Sequence, residues 1–362
     1  MMKGTIQKIF QVIKNRTGER EFIERHRRNK EDFTRNRNLD FEDVVNFVLG
    51  NTGLSLDFEV LKFSDERNQS VSAAALSKAR DKVNFSAFYE LFCETSKEIP
   101  IQKTYKGYRL KAYDGMIGEL PKTKKLMLKY AAYGKEGYPQ FHAVVEYDVL
   151  NCNYTDAIFE AGTMDEREAA YQLIERNDYT GAEIFLLDRG YPSLKIIKCL
   201  NEKGKKFVIR VSGSFLKEVN EFSKSKKNDE TIYIEYGKER RRSNTAKNVE
   251  LPYNFHLRCV KIKLKNGENE VLITNLESSE FSRKEIGELY NLRWKIEVGF
   301  LHLKYAVCVE DFVGVKENSI KQEFYGSLLK SNLFMQFVGI SDSVICDRKA
   351  VKSNKKNGRT QL

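Results

Sequence analysis

The sequence predicts an α/β protein, a mixed sheet covered by helices with an all-helical region ahead of it, and three observations carry this. Up to about residue 100 the apolar residues recur at helical spacing; near Thr104 they change to the alternation of strands; and Glu288 to Val307 reads as one helix with an apolar stripe and a polar one. The chain of 362 residues has room for two or three domains.

Residues 1–105 form the helical region. Residues 1 to about 38 mix charges, with Arg25, His26, Arg27, Arg28 and Lys30 clustered, as on a solvated helix or a DNA-facing one. Asp40 can cap LDFEDVVNFVLG, where Phe41, Val44, Val45 and Val48 share a face and Gly50 ends the run. Leu56 to Phe63 is a shorter helix, VSAAALSKARDKV follows a polar turn, and Ser86 opens AFYELFCETSKE. Helix, turn and small-residue helix carrying Lys78, Arg80 and Lys82 suit a helix-turn-helix reader of DNA, and a plain helical bundle nearly as well.

The sheet begins with YKGYRLKAYDG, a strand that ends at Asp114-Gly115, and continues with PQFHAVVEYDVLN and its hairpin partner YTDAIFE. DEREAAYQLIERN is helical, EIFLLD is an apolar run closing on Asp188, PSLKIIKCLNEKG is a second helix, and KFVIRVS is another buried strand. These segments, residues 106–211, make the first part of a core. Residues 212–280 (TIYIEYG, HLRCVKIKL, EVLITNL, and the basic run KERRR) read as a β-rich insertion, and residues 281–340 as the final helices of the core. The last stretch, residues 341–362, is basic and without apolar period, which predicts a disordered tail. Asp148, Asp156 and Glu160 are expected to face solvent, and His142 and His302 to be structural.

The net charge of +11 points to a polyanionic partner without distinguishing DNA from RNA or an anionic membrane. Six scattered cysteines and four histidines lack zinc-site spacing and read as thiols of a reducing cytoplasm. No apolar run approaches a membrane span, and no signal peptide is legible.

On the helix from Glu288 to Val307, Tyr290, Arg293, Glu297 and Lys304 share a stripe roughly 60° wide and about 21 Å long at ideal α geometry. Leu289, Leu292, Ile296, Phe300 and Leu303 form the apolar stripe that would anchor the helix to a sheet. The bland alternative is a surface helix whose Arg293 and Glu297 are an ordinary i,i+4 pair.

The spacing of Tyr290, Arg293, Glu297 and Lys304 resembles the Y-R-E-K signature of DDE transposases of insertion-sequence family four, and Asp114-Gly115 and Asp188 within LDRGY resemble that family's first two motifs. The resemblance covers most of residues 35 to 335 and includes FTRNRNLDFEDVVNFVLG and SAAALSKARDKVN near the N-terminus. It implies a ribonuclease-H-like mixed sheet, with Asp114, Asp188 and Glu297 as catalytic acids holding two Mg²⁺ ions, for which Mn²⁺ can substitute. Hard cations need hard oxygen ligands, and two of them can activate the attacking oxygen and stabilise the leaving one in phosphodiester cleavage. It implies too that Tyr290, Arg293 and Lys304 grip DNA phosphates; Trp294 beside them is either a packing residue or a DNA-stacking one.

The implied activity is cut-and-paste transposition through metal-dependent hydrolysis, a hairpin intermediate and strand transfer. The implied partners are double-stranded DNA, as element terminal repeats and target, and a second copy of the chain bound on DNA, with no membrane and a cytoplasmic, nucleoid-associated location. Two other readings stay open: a truncated or inactive copy that only binds DNA, suggested by the low-complexity tail, and a stand-alone nuclease of the same fold.

Overall fold

The computed structural model describes residues 2–35, 38–130, 137–237, 249–250, 252–264, 267–305 and 309–357, with side chains among them from Gly4 to Val338. The run KERRR and the end of the long helix at Val307 lie outside the described residues. Two compact units emerge, one of residues 1–100 with 301–362 and one of residues 101–300.

The first unit begins with α1 (Met2–Gly18), α2 (Arg20–His26), α3 (Phe41–Gly50), α4 (Leu56–Arg67), α5 (Ala73–Arg80) and α6 (Ser86–Lys97). Asp40 caps α3 as the sequence predicts, its side chain accepting from the Asp43 N–H while the Asp43 carboxylate accepts from the Asp40 N–H, and Phe41, Val44, Val45 and Val48 are buried. The helical region is not closed on itself, because the long C-terminal helix Glu317–Asn357 belongs to the same unit and packs on α6, α1 and α3. Arg80 shows why the two are joined. Its guanidinium is buried and donates to Glu323 Oε1 at 2.6 Å, to the Ser319 carbonyl at 3.1 Å and to Gln322 at 3.3 Å.

That C-terminal helix corrects the expectation of a disordered tail over residues 341–362 as far as Asn357, where the helix ends; residues 358–362 lie outside the described residues. The stretch lacks an apolar stripe, but Ala, Lys and Arg are good helix formers in their own right.

The second unit runs β1 (Arg109–Glu119), α7 (Lys124–Tyr130), β2 (Gln140–Asp148), β3 (Asn153–Ala161), α8 (Glu166–Arg176), β4 (Glu183–Leu187), α9 (Leu194–Glu202), β5 (Lys206–Val211), α10 (Lys217–Lys224), β6 (Asp229–Tyr236), β7 (Tyr253–Lys263), β8 (Asn269–Thr274) and α11 (Arg283–Asn291). A 3₁₀ turn, Leu292–Trp294, then leads into α12 (Lys295–Tyr305), within which the unit boundary falls. One eight-stranded sheet has the order β3-β2-β1-β4-β5-β8-β7-β6. β1, β4 and β5 are parallel, and the other pairings are antiparallel. Parallel strands buried on both sides read as continuous apolar runs, and all five residues of β4 are buried.

Residues 212–280 are therefore no separate insertion among the strands described: β8, β7 and β6 extend the same sheet. A sheet covered on both faces still has edges, and the one offered by β5 is a liability that β8 removes by pairing with it. Side chains of β6, β7 and β8, among them Ile234, Leu257 and Ile273, share one hydrophobic core with Tyr113, Phe185, Leu173 and Ile197. On the helix α11, Gly287 permits close approach to the sheet: a Cβ there would stand 3.1 Å from Ile262 Cδ1.

Asp148 does not face solvent. It is fully buried, accepts from Arg109 Nε at 2.5 Å, and holds the β2–β3 turn through the N–H groups of Leu150 and Asn151. Asp156 pairs with Arg176, and only Glu160 of the three is exposed. Among the described residues no helix is long and apolar enough to cross a membrane.

Replacing Arg80 by Ala leaves the buried Glu323 carboxylate without its cation and with only the Val313 and Gly314 N–H groups donating to it, so thermal unfolding should show a loss of about 3 kcal/mol. Lys78→Ala, on an exposed position of the same helix, should stay within about 0.5 kcal/mol of the parent.

Candidate functional site

The site forms where the parallel pair β1–β4 ends. Their register sets Tyr113 beside Leu187, so the next residues, Asp114 and Asp188, leave adjacent strands together. Asp114 is not the end of its strand, as the sequence suggested; β1 continues to Glu119, paired beyond this point with β2 alone. Side chains alternate across a strand, so Tyr113 enters the core while Asp114 points to the opposite face.

From the other side comes the segment after α11. Ser282 and Glu285 form a capping box that starts α11, and Tyr290 in its last turn donates its hydroxyl to Asp188 Oδ1 at 3.0 Å. The 3₁₀ turn then delivers Arg293, 2% exposed, into the middle of the acids. Its Nη1 lies 3.3 Å from Asp114 Oδ2, and its Nη2 lies 3.9 Å from Asp188 Oδ2 and 3.8 Å from Glu297 Oε1. Three carboxylates remote in sequence thus meet on one guanidinium, which itself lies over the rings of Trp294 and Tyr290 at 4.9 and 5.9 Å.

Exposure separates the cation from the acids. The Arg293 side chain is covered, whereas those of Asp114, Asp188 and Glu297 are 26%, 34% and 46% exposed. Burial raises the Asp114 pKa to about 6, with Arg293 and the Gly115 N–H opposing it. Burial also works upward on Asp188, but the Arg189 N–H, Arg293, Tyr290 and Arg210 outweigh it and hold that carboxyl below its ordinary value. Burial and the neighbouring Asp188 push the Tyr290 phenol far up, so it stays protonated and donates.

Arg293 and Tyr290 therefore differ from the phosphate-gripping roles expected of them. Both are 2% exposed and engaged with the acids, Tyr290 from the last turn of α11 and Arg293 from the 3₁₀ turn that interrupts the single helix expected from the sequence. The apolar stripe is only partly realised, with Leu289, Ile296 and Leu303 buried and Leu292 and Phe300 half-buried.

Trp294 is half exposed, so it is not a core packing residue. Lys304 belongs to the other unit and pairs there with Glu310 at 2.8 Å. In the helical unit Lys78 is exposed and Lys82 is partly covered, 3.8 Å from Asp32, while Arg80 is buried and cannot face DNA.

Further groups surround the acids that sequence pattern did not single out. Arg210 on β5 stands 3.8 Å from Asp188 and 2.9 Å from Glu270 on β8; the signal was a charged residue inside the apolar run KFVIRV. His142 Nε2 lies 2.7 Å from Glu166 Oε1 at the start of α8. Gly115 makes room for that pair, since a Cβ there would stand 2.7 Å from Glu166 Oε1 and 3.1 Å from His142 Nε2.

By donor chemistry, three partly exposed carboxylates suit a hard divalent cation. By arrangement, no three His, Cys, Asp or Glu residues among those described are close enough to hold one. The acids are gathered on a guanidinium instead.

Residues 105–333 match the family model described as the transposase DDE domain. The chain is 24% identical over 273 residues to the transposase InsG of insertion sequence element IS4 from Escherichia coli K12, covering 73% of this chain and 60% of that protein. It thus spans less than two thirds of the length of that relative. It is 25% identical over 304 residues to a putative transposase of element IS4SA from Synechocystis, covering 79% of this chain and 80% of that one. Among solved structures it resembles the piggyBac transposase synaptic complex with hairpin DNA, at 12% identity and a TM-score of 0.52, over 92% of this chain and 76% of that one. This last likeness is one of fold.

A carboxyl whose folded pKa is raised binds its proton more tightly folded than unfolded, so the metal-free protein should lose stability as pH climbs from 3.8 through about 6. Asp114→Asn removes that dependence. Its unfolding free energy should gain on the parent across this window, by up to about 3 kcal/mol at pH 8, as measured by denaturation at a series of pH values.

Proposed function

The chain belongs to the transposase DDE domain family, and on that premise we propose that it cleaves and joins DNA at the ends of an insertion sequence, with Asp114, Asp188 and Glu297 as the catalytic acids. One observation carries this reading: the two aspartates leaving adjacent parallel strands and the glutamate of α12 all reach the same guanidinium, within 3.9 Å. Acids 74 and 109 residues apart in the chain have no structural need to meet, and a fold that brings them together part-exposed has made a site for positive charge.

The cofactor that suits these acids is Mg²⁺, as two ions, with Mn²⁺ as a substitute. When bound, it supplies Lewis-acid activation of the attacking oxygen and neutralises charge developing on the phosphate. The chain's own residues do the rest. Asp114 and Asp188 are fixed by their strands, so their oxygens are pre-aligned; Tyr290 holds the Asp188 carboxylate in one orientation by its donated hydrogen bond. Glu297 on α12 is the most exposed of the three and closes the site from the helix side.

The reaction proposed is cut-and-paste transposition. Water attacks the phosphate at the element end and frees a 3′-OH; that hydroxyl attacks the opposite strand to form a hairpin, which a second water reopens before transfer to target DNA. Two chains bridging two ends would act together. Trp294, exposed beside the acids, can stack on an unpaired base, and Lys304, Lys78 and Lys82 supply phosphate contacts.

Glu297→Gln keeps the helix and the side-chain length but removes a charged ligand. Cleavage of DNA carrying the element's terminal repeat should fall by orders of magnitude in Mg²⁺, with DNA binding retained; wild-type cleavage by this variant would refute the assignment. Lys304→Ala should instead weaken binding and reduce its salt dependence by about one counterion.

A further inference from the structure

The reading of Asp114, Asp188 and Glu297 as metal-holding acids leaves the buried cation among them without a role, and the geometry gives it one. We infer that Arg293 is the built-in counter-ion of the acid cluster: it neutralises the three carboxylates when no metal is present, and every divalent ion that enters must bind against its charge.

Four observations support this. The guanidinium is covered by protein, so a DNA phosphate does not reach it as the site stands. It reaches all three acids, but only Asp114, at 3.3 Å, is within hydrogen-bonding distance, and the contacts to Asp188 and Glu297 at 3.9 and 3.8 Å are electrostatic. Its Nε is buried with no hydrogen-bond partner in the structure, so the side chain is held by charge and by the Trp294 and Tyr290 rings more than by fitted hydrogen bonds. The acids, unlike the cation, are partly open to solvent, so an ion can approach them from that side.

Arg293 is thus a positioning residue with a double effect. It draws together acids that would otherwise repel one another, and it lowers the field that attracts a dication. A residue that merely packed would affect stability equally with and without metal. A counter-ion does not.

The test compares full-length wild type, Arg293→Met and Arg293→Lys without DNA, following Mn²⁺ binding by electron paramagnetic resonance and thermal unfolding in chelator and in saturating Mn²⁺. Arg293→Met, close in volume but uncharged, should melt below wild type in chelator, bind Mn²⁺ about tenfold more tightly, and regain most of the deficit when Mn²⁺ is saturating. Arg293→Lys, which keeps the charge on a shorter reach, should fall between the two. Mn²⁺ affinity in Arg293→Met equal to or weaker than wild type overturns the inference while leaving the acids as metal ligands. If Arg293→Met does not fold, Arg293→Lys decides in its place, and an affinity no tighter than wild type overturns the inference. If all the folded proteins fail to bind Mn²⁺, the reading of the acids as metal ligands falls, and the inference with it.

Discussion

The interaction on which the site depends is the contact of one buried guanidinium with three carboxylates. Carboxylates bridged this way lie within several ångströms of one another, where like charges repel by roughly 2 kcal/mol per pair at an effective dielectric constant of about 20. A compensating charge relieves that repulsion in the free protein. Arg293 supplies it from a buried position, while the side chains of Asp114, Asp188 and Glu297 stay partly exposed. The surrounding elements serve this meeting: the β1–β4 register aligns the aspartates, Gly287 lets α11 sit close against the sheet, and the 3₁₀ turn that follows carries Arg293.

The sheet explains how such a site stays rigid. β4 is buried and parallel to both neighbours, so Asp188 leaves a strand that has no freedom to shift. The three strands beyond β5 add core on the same face and cover an edge that would otherwise be open, and Glu270 on β8 reaches Arg210, which in turn reaches Asp188. What looked like an appendage in the sequence thus contributes to the wall of the site.

Much of this was legible in the sequence, for definite reasons. Spacing placed Tyr290, Arg293 and Glu297 on one stripe, and they do converge, because a helical path brings residues three and four apart to one side whether it is α or 3₁₀. Angular spacing could not show direction: which side of the helical path meets the acids depends on Asp114 and Asp188, far off in the chain, and no local signal in NLRWKIE marks it. The resemblance pointed to two aspartates, and the pattern offered Asp188 closing the apolar run EIFLLD and Asp114 ending the alternation of YKGYRLKAYDG; that Asp114 lies inside its strand was hidden, since MIGE continues with no break. Burial of Arg80 and Asp148 could not be read at all. Each is a charge whose partner lies far off in the chain, Glu323 for one and Arg109 for the other, and periodicity reports nothing about pairing over such distances.

Asp114, Asp188 and Glu297, on this account, form one metal-holding centre in which Arg293 is the resident positive charge. The most direct measurement is a crystal structure of the full chain bound to its end DNA in Mn²⁺, with anomalous scattering used to place the metal. Manganese peaks shared by the Asp114 and Asp188 carboxylates are expected, with Glu297 completing the set and the Arg293 guanidinium drawn away from the outer oxygens. Manganese bound elsewhere, with the three acids still closed on Arg293, would contradict it.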